Sequence, residues 1–435
     1  MKLSSILGLN ARTQTYAYRY NTHTGKNIAD SKIQTARVLK IAGVAHPKIY
    51  KKFKNLEDVY NFDFEILPDR FAVKPSRGLG GEGIIVVKKK LKNDGWLTTQ
   101  KKRVTIADIK FHISDILEGA YSMGNDPDVA FIQEYVGRHT IFRKWAFRGT
   151  PDIRVIVFNK IPVLAMLRLP TKQSGGRANL HQGAIGVGID IGTGVTTKAI
   201  LEGEQIIYKP DSIYKLRGIK VPMWTKVLDT AVNASIAAGL GYCGVDVVLH
   251  PDKGPMILEL NAQPGLQIQL ANGVGLKRRL ERVDELEVRD AEHGVAIAKA
   301  LFTSHPLPQR LEDIIKIKAV EEIIVRDMNG NKKRVLAKVD TGAWSSAIDR
   351  KFAKSLGLLT RNKILWYRDK LSALGKESRP VIPVTFWLGR KKIKTNMTVA
   401  NRKLLRYDVL VGRVDLGGFL VSPEIDKKDL VKAKW

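Results

Sequence analysis

The stretch GVDVVLHPDKGPMILELNAQPG, residues 244–265, constrains the fold more than any other part of the chain. Two apolar runs are joined by PDKG, a turn sequence, and the pattern predicts a buried antiparallel hairpin. Glu259 and Asn261 are two residues apart, so they share one face of the second strand. Asp246 lies on the first strand and can face them. A carboxylate inside VDVV or ILEL is costly unless something neutralises it. Grouped hard oxygen donors suit a Mg2+ ion that bridges phosphates; the plain alternative is a solvated carboxylate pair on a hairpin.

Ahead of the hairpin the chain reads as mixed helix and strand. Residues 30–42 carry Ile33, Ala36, Leu39 and Ile41 before Gly43, which predicts a helix. Further helices are expected at 105–118, 224–238 and 285–301, and strands at FAVKP, IIVV, FIQEYV, DIRVIVF and PVLAMLRL. Between the first two strands runs SRGLGGEG, whose Gly78, Gly80, Gly81 and Gly83 leave backbone N–H groups free to approach phosphate. Lys74 at the end of the preceding strand adds a positive charge, although a glycine loop alone also fits a mobile hairpin. RANLHQGA, residues 177–184, is rich in donors and could hold an anion or be an ordinary polar loop.

From residue 317 the pattern changes. Short runs (IKAVEEIIVRD, KRVLAKVD, PVIPVTFWLG, KIKTNMTVA, DVLVG) alternate with turn signals, with one helix at 350–356 between them. Closely spaced short strands predict a small barrel or sandwich. The break falls at HPLPQRLED, so the expected organisation is 1–304 (with a short N-terminal segment, 1–28), a linker 305–316, and 317–435. A chain of 435 residues accommodates such a division. Half of the net charge of +30 falls in the last segment. Such an excess points to nucleic acid, an anionic surface or an acidic substrate. Aromatic residues make up only 7% and show no interleaved stacking pattern, so nucleic acid is not favoured. The single cysteine, Cys243, excludes an internal disulfide and fits a reducing compartment; with no transmembrane run and no signal peptide at the start, a cytoplasmic protein is expected. Cys243 itself reads as a small core residue.

Taken in order, Lys32, Lys74 with its glycine loop, IQEYV, DIR, NLHQG and D…ELN resemble the ATP-grasp superfamily. Within it, DIRVIV…PVLAMLRLP…ANLHQGAIGVGID resembles the RimK-like alpha-L-glutamate ligases and their relatives over residues 1–300. The resemblance implies an ATP-grasp fold and an ATP-dependent carboxylate–amine ligase that works through an acyl phosphate and adds glutamate. It implies that Lys32 and Lys74 contact the nucleotide phosphates, with Gly80 and Gly81 in the covering loop. Glu134 and Tyr135 would hold the adenine, Asp152 would sit near the ribose, and Arg177 and Asn179 would approach the terminal phosphates. Asp246, Glu259 and Asn261 would bind Mg2+ or Mn2+, and Arg154 and Arg168 would hold the acceptor carboxylate or the acyl phosphate. Two departures concern the substrate. About 30 residues precede Lys32 where those ligases have a whole domain, and Gln182 stands where the family pattern has an arginine.

In the last segment, AKVDTGAWSSAID places Asp340, Thr341 and Gly342 after an apolar strand, and DVLVG ends on Gly412 about 70 residues on. Two such carboxylates sharing a proton can activate water against a peptide bond. With one DTG per chain, a dyad needs a second copy, most simply a homodimer formed through this domain. The pair of motifs resembles the retropepsin-like aspartic proteases, and in particular the RimK-associated family labelled an ATP-dependent zinc protease. The family pattern has a His shortly after DTGA, and Asp349 stands near that place. All eight histidines lie at or before His305, so no zinc is expected in this segment. The alternative is that Asp340 only caps a turn in a binding domain.

The expected whole is an α+β protein. An ATP-grasp ligase acting on an acidic amino-acid or peptide substrate is followed by a small, mostly β, retropepsin-like domain that trims or binds the product. Two other readings compete: a basic scaffold for RNA, ribosomes or an anionic surface, and an ATP-grasp ligase for a sugar-linked or cell-envelope substrate.

Overall fold

The computed structural model describes residues 3–78, 80–91, 95–303, 314–372, 375–403 and 405–423. The chain divides into two units, Met1–Phe302 and Thr303–Trp435. Residues 305–313 of the expected linker lie outside the described residues, while Ile315 and Lys316 already belong to a strand.

The first unit holds two antiparallel sheets. The six-stranded sheet runs in the order β1 (Ile49–Phe53), β6 (Ala130–Glu134), β2 (Phe71–Pro75), β3 (Ile85–Lys90), β4 (Trp96–Thr98), β5 (Arg103–Val104). The helix Ile106–Leu117 covers it. Thr105 and Asp108 close a capping box at its start. Its Ile109, Ile113 and Ile116, spaced four and three apart, are wholly buried in one cluster with Phe71, Val73, Val87 and Trp96.

The seven-stranded sheet runs β11 (Glu204–Ile206), β10 (Thr196–Leu201), β9 (Ile185–Ile189), β8 (Ile161–Leu169), β7 (Asp152–Phe158), β12 (Tyr242–His250), β13 (Gly254–Asn261). Every residue of β8 is buried, because the helices Trp224–Ala237 and Ala291–Phe302 pack against this sheet. That explains why β7, β8 and β12 read as continuous apolar runs rather than as an alternating pattern. The expected helix 285–301 begins only at Ala291. The Asp290 carboxylate accepts the His293 N–H at 2.8 Å and starts the helix there. Residues 1–28 are also part of the unit. Their helical turns place Tyr16 and Tyr20 edge-on to Phe158, at centroid distances of 5.4 and 4.8 Å.

The second unit is a β-barrel. One sheet runs β15 (Val320–Arg326), β16 (Lys332–Asp340), β21 (Val409–Gly412), β17 (Ala347–Asp349), β20 (Lys391–Ala400), β19 (Gly375–Leu388), β18 (Trp366–Ser372), and β15 pairs with β19 to close it. A parallel pair, β14 (Ile315–Lys318) with β22 (Phe419–Ser422), stands beside it. The run IKAVEEIIVRD is thus two strands, β14 and β15, with Ala319 between them. Ile323, Val325, Ile348, Ile382, Phe386, Val399 and Val409 fill the interior. No helix among the described residues is long and apolar enough to cross a membrane.

Candidate functional site

A cavity of about 710 Å3 opens between the two sheets of the first unit. Its walls bring together Lys74, Gly80, Gly81, Glu134, Tyr135, Asp152, Arg154, Arg168, Arg177, Asn179, Asp246, Glu259 and Asn261. Lys32 reaches the same place from the start of its helix: its Nζ lies 3.5 Å from Glu259 Oε1 and donates to the Gly78 carbonyl at 2.7 Å.

Strand register creates the acidic end. Asp246 pairs with Glu259 across β12 and β13, Gly244 pairs with Asn261, and a bulge follows immediately as the register shifts between Asp246 and Val247. On the other side of β12, Asp246 stands opposite Arg154 of β7, and Asp152 of β7 stands opposite Arg168 of β8. Arg154 donates Nε and Nη2 to the two Asp246 oxygens, both at 2.7 Å. Arg168 donates to Asp152 at 2.5 and 2.7 Å, and its Nη2 also reaches Asp246 Oδ2 at 2.7 Å. Asp152, Arg168 and Asp246 are all buried, yet two guanidinium groups balance two carboxylates. Burial pushes the Asp246 carboxyl up, but Arg154 and Arg168 together hold it well below the usual range. Asp152 is pushed above its usual range by burial; it has one guanidinium, shares it with Asp246, and feels that neighbouring charge.

The opposite wall is cationic. Lys74 is half-buried and donates to Gln133 Oε1 at 2.8 Å. Burial and the nearby Lys32 charge bring its ammonium down to about 8, opposed by Glu259. Gly80 and Gly81 hold φ of +62° and +81°, which other residues adopt only under strain. A Cβ on Gly80 would sit 3.3 Å from Asn179 Nδ2, which donates to the Gly80 carbonyl at 3.3 Å. The glycine loop therefore lies against the segment that carries Arg177 and Asn179.

Glu134 ends β6 and Tyr135 follows it, and both line the cavity. The Glu134 side chain is held by Lys253 and by the Lys48 N–H, so the edge it offers is largely backbone. Gln133, Lys253 and Arg148 were not foreseen. Arg148 lines the cavity with a left-handed φ of +50° beside Gly149. The only cue for Gln133 was its place two residues before Tyr135 in IQEYV. Cys243 is wholly buried, and burial pushes its thiol far up, which fits a core residue.

The oxygen donors fit a hard divalent cation. Asp246 and Glu259 are register partners, and Asn261 lies two residues beyond Glu259 on the same strand face. Arg154 and Arg168 make three hydrogen bonds to Asp246, and a carboxylate offers about four lone-pair sites, so one direction stays open. Among the described residues no group of three or more His, Cys, Asp or Glu forms. Such an ion would thus rest on two carboxylates, the Asn261 oxygen and the phosphates of a ligand.

Asp340 belongs to the second unit, at the end of β16. Its Oδ1 accepts the Gly342 and Ala343 N–H groups at 2.9 and 3.1 Å, and Lys338 Nζ lies 3.6 Å from Oδ2. Burial raises this carboxyl, but the loop amides and Lys338 prevail and lower it. Beside it, Asp340 pairs with Gly412 in the parallel β16–β21 ladder. Asp349 is a buried cap: it accepts N–H groups of Lys351, Phe352 and Arg402.

The sequence matches the family described as sugar-transfer associated ATP-grasp over residues 11–285. A Stenotrophomonas maltophilia (strain K279a) protein, "Probable alpha-L-glutamate ligase", is 26% identical over 235 residues, 54% of this chain and 58% of that protein. A Saccharophagus degradans protein of the same description is 30% identical over 169 residues, 39% of this chain and 41% of that one. This chain thus spans little more than half the length of the first of them. The solved structure of the ATP-grasp ligase PsnB, complexed with a phosphomimetic variant of its minimal precursor, Mg and ADP, is 18% identical and covers 60% of this chain and 59% of its own at a TM-score of 0.33. The chain belongs to the sugar-transfer associated ATP-grasp family.

Proposed function

We propose that the first unit is an ATP-dependent carboxylate–amine ligase. One observation carries this reading: a single cavity has a glycine loop and two lysines on one wall, and paired carboxylates with two arginines on the other. Lys74, Lys32 and the loop amides would hold phosphates, while Arg177 and Asn179 approach the terminal one. The β6 end at Glu134 and Tyr135 would receive the adenine, and Asp152 would lie toward the ribose. Asp246, Glu259 and Asn261 would hold Mg2+ or Mn2+, which neutralises charge on the phosphoryl oxygens.

In the reaction a substrate carboxylate oxygen attacks the γ-phosphorus, and ADP leaves. An amine nitrogen then attacks the acyl carbon, phosphate leaves, and the nitrogen sheds a proton. Arg154 and Arg168 retain N–H donors beyond those given to Asp152 and Asp246, and these would hold the acyl phosphate. The preformed network keeps both guanidinium groups oriented before the substrate arrives. Glutamate is the donor that the description of the curated relatives supports. A sugar-linked acceptor is the reading that the family description supports. Incubating the protein with ATP, Mg2+, glutamate and a panel of amines, then weighing the products, tests both. An amide product containing glutamate supports the first reading, and an amidated sugar supports the second. ATP turnover that yields neither removes both.

For the second unit we propose an aspartyl-peptidase-type carboxylate at Asp340, partnered by Asp340 of a second copy. The reading rests on a partly exposed carboxylate at a strand end, cradled by two loop amides. Asp340→Asn should abolish peptide cleavage without changing the fold. Cleavage that survives would remove the dyad.

A further inference from the structure

A second cavity of the first unit, of about 800 Å3, adjoins the nucleotide cleft without being part of it. Its walls come from the first turns of the helix Lys32–Ile41, the end of β1, the loop after β2 and the residues before β6. Arg37, Lys52, Lys54 and Arg77 line it. All four are exposed, and none forms an ion pair or a side-chain hydrogen bond with another described residue. Two acids share the walls. Asp128 is committed to the loop, accepting the Arg77 and Val129 N–H groups, both at 2.7 Å, which leaves Asp30 the exposed one.

Cations scattered on a surface are an ordinary solvated face. Here they converge from three separate segments on one concavity, where like charges repel and the field is focused. That repulsion is relieved by a ligand with several negative charges. A cavity of this size exceeds what one phosphate fills, and its apolar lining is only Ile33, Pro127 and Val129, with no aromatic ring on which a base could stack. We propose that this groove is an anion site for a ligand with two or more phosphate or carboxylate groups and no aromatic base. The groove and the nucleotide cleft share structure. Ser31 and Ser76 bond through their hydroxyls at 2.9 Å, the Lys32 N–H donates to the Ser76 carbonyl at 3.0 Å, and Ser76 leads directly into the glycine loop.

The test does not require turnover. Inositol hexakisphosphate is titrated calorimetrically into the intact protein without nucleotide, with citrate and a hexa-aspartate peptide as carboxylate probes. Wild type should bind at least one of them. Arg37→Glu/Lys54→Glu should lose about tenfold or more in affinity. Lys88→Glu/Lys89→Glu, the same charge change on exposed residues elsewhere, should not, and Lys74→Ala should keep the binding. The tighter probe then assigns phosphate or carboxylate as the ligand group. The proposal is overturned by an absence of binding, by equal losses in the two double variants, or by loss in Lys74→Ala, which would place the anion in the nucleotide cleft. If Arg37→Glu/Lys54→Glu does not fold, Arg77→Gln carries the same test, and unchanged affinity there overturns the proposal.

Discussion

Arg154 and Asp246 stand directly opposite each other on β7 and β12 and close a two-pronged pair, both bonds 2.7 Å long, on a carboxylate that Arg168 also holds. Asp246 is buried and Arg154 half-buried in the floor of the cleft. Asp246 orients the arginines, and in the proposed ligase its one remaining direction would serve a metal ion, a second task.

The first task makes Asp246 structural. Asp246→Ala leaves a buried guanidinium, Arg168, and a half-buried one, Arg154, with one carboxylate between them, so stability should fall by about 3 kcal/mol. Urea unfolding of the variant measures this. A loss below about 1 kcal/mol would mean that the network contributes little to the fold.

Lys74 predicts a pH dependence. Its folded value is lowered to about 8, so the free protein loses this charge as pH rises through that value. With ATP as the varied substrate, kcat/KM should fall above pH about 8. Lys74→Arg, which keeps its charge, should remove that fall while lowering the plateau. The sign for stability is the reverse. The cost of burying the protonated lysine is present below pH about 8 and fades as pH rises toward the unfolded value. A profile unchanged by Lys74→Arg would assign the titration to another group.

Gly80→Ala tests the covering loop. At φ of +62° a Cβ costs about 1–2 kcal/mol, and it would press on Asn179 Nδ2 at 3.3 Å. The KM for ATP should rise about five- to thirtyfold, with the melting temperature nearly unchanged. An unchanged KM would indicate that the loop does not touch nucleotide.

Asp349 separates a structural from a metal-binding role in the second unit. Asp349→Ala leaves three backbone N–H groups without their acceptor and should cost about 1–3 kcal/mol. Differential scanning calorimetry with and without added zinc should show the same loss in both. A loss that appears only with zinc would make Asp349 a ligand.

Much of the site was legible because its residues sit at strand spacing inside apolar runs. Asp246, Glu259 and Asn261 could be placed on one face from VDVV and ILELN alone. The pairing that gives the site its electrostatics could not. Arg154 and Asp246 are 92 residues apart, and only the register of β7 against β12 brings them together. The resemblance put Glu134 at the adenine, and Lys253, from the turn between β12 and β13, holds its side chain. The strands β17, β18 and β22 were missed because their pairing partners, rather than an alternating pattern, define them. The acidic run DELEVRD, residues 284–290, resembles a first helical turn, whereas one aspartate, Asp290, sets the start of the helix Ala291–Phe302.

The most direct measurement of the ligase chemistry is to trap the acyl phosphate. Protein, ATP, Mg2+ and glutamate are mixed with hydroxylamine in place of the natural amine. Wild type should produce a hydroxamate in step with ADP, and Lys74→Ala and Glu259→Ala should lose both together. ADP formation without hydroxamate, or hydroxamate undiminished in both variants, would contradict carboxylate activation in this cleft.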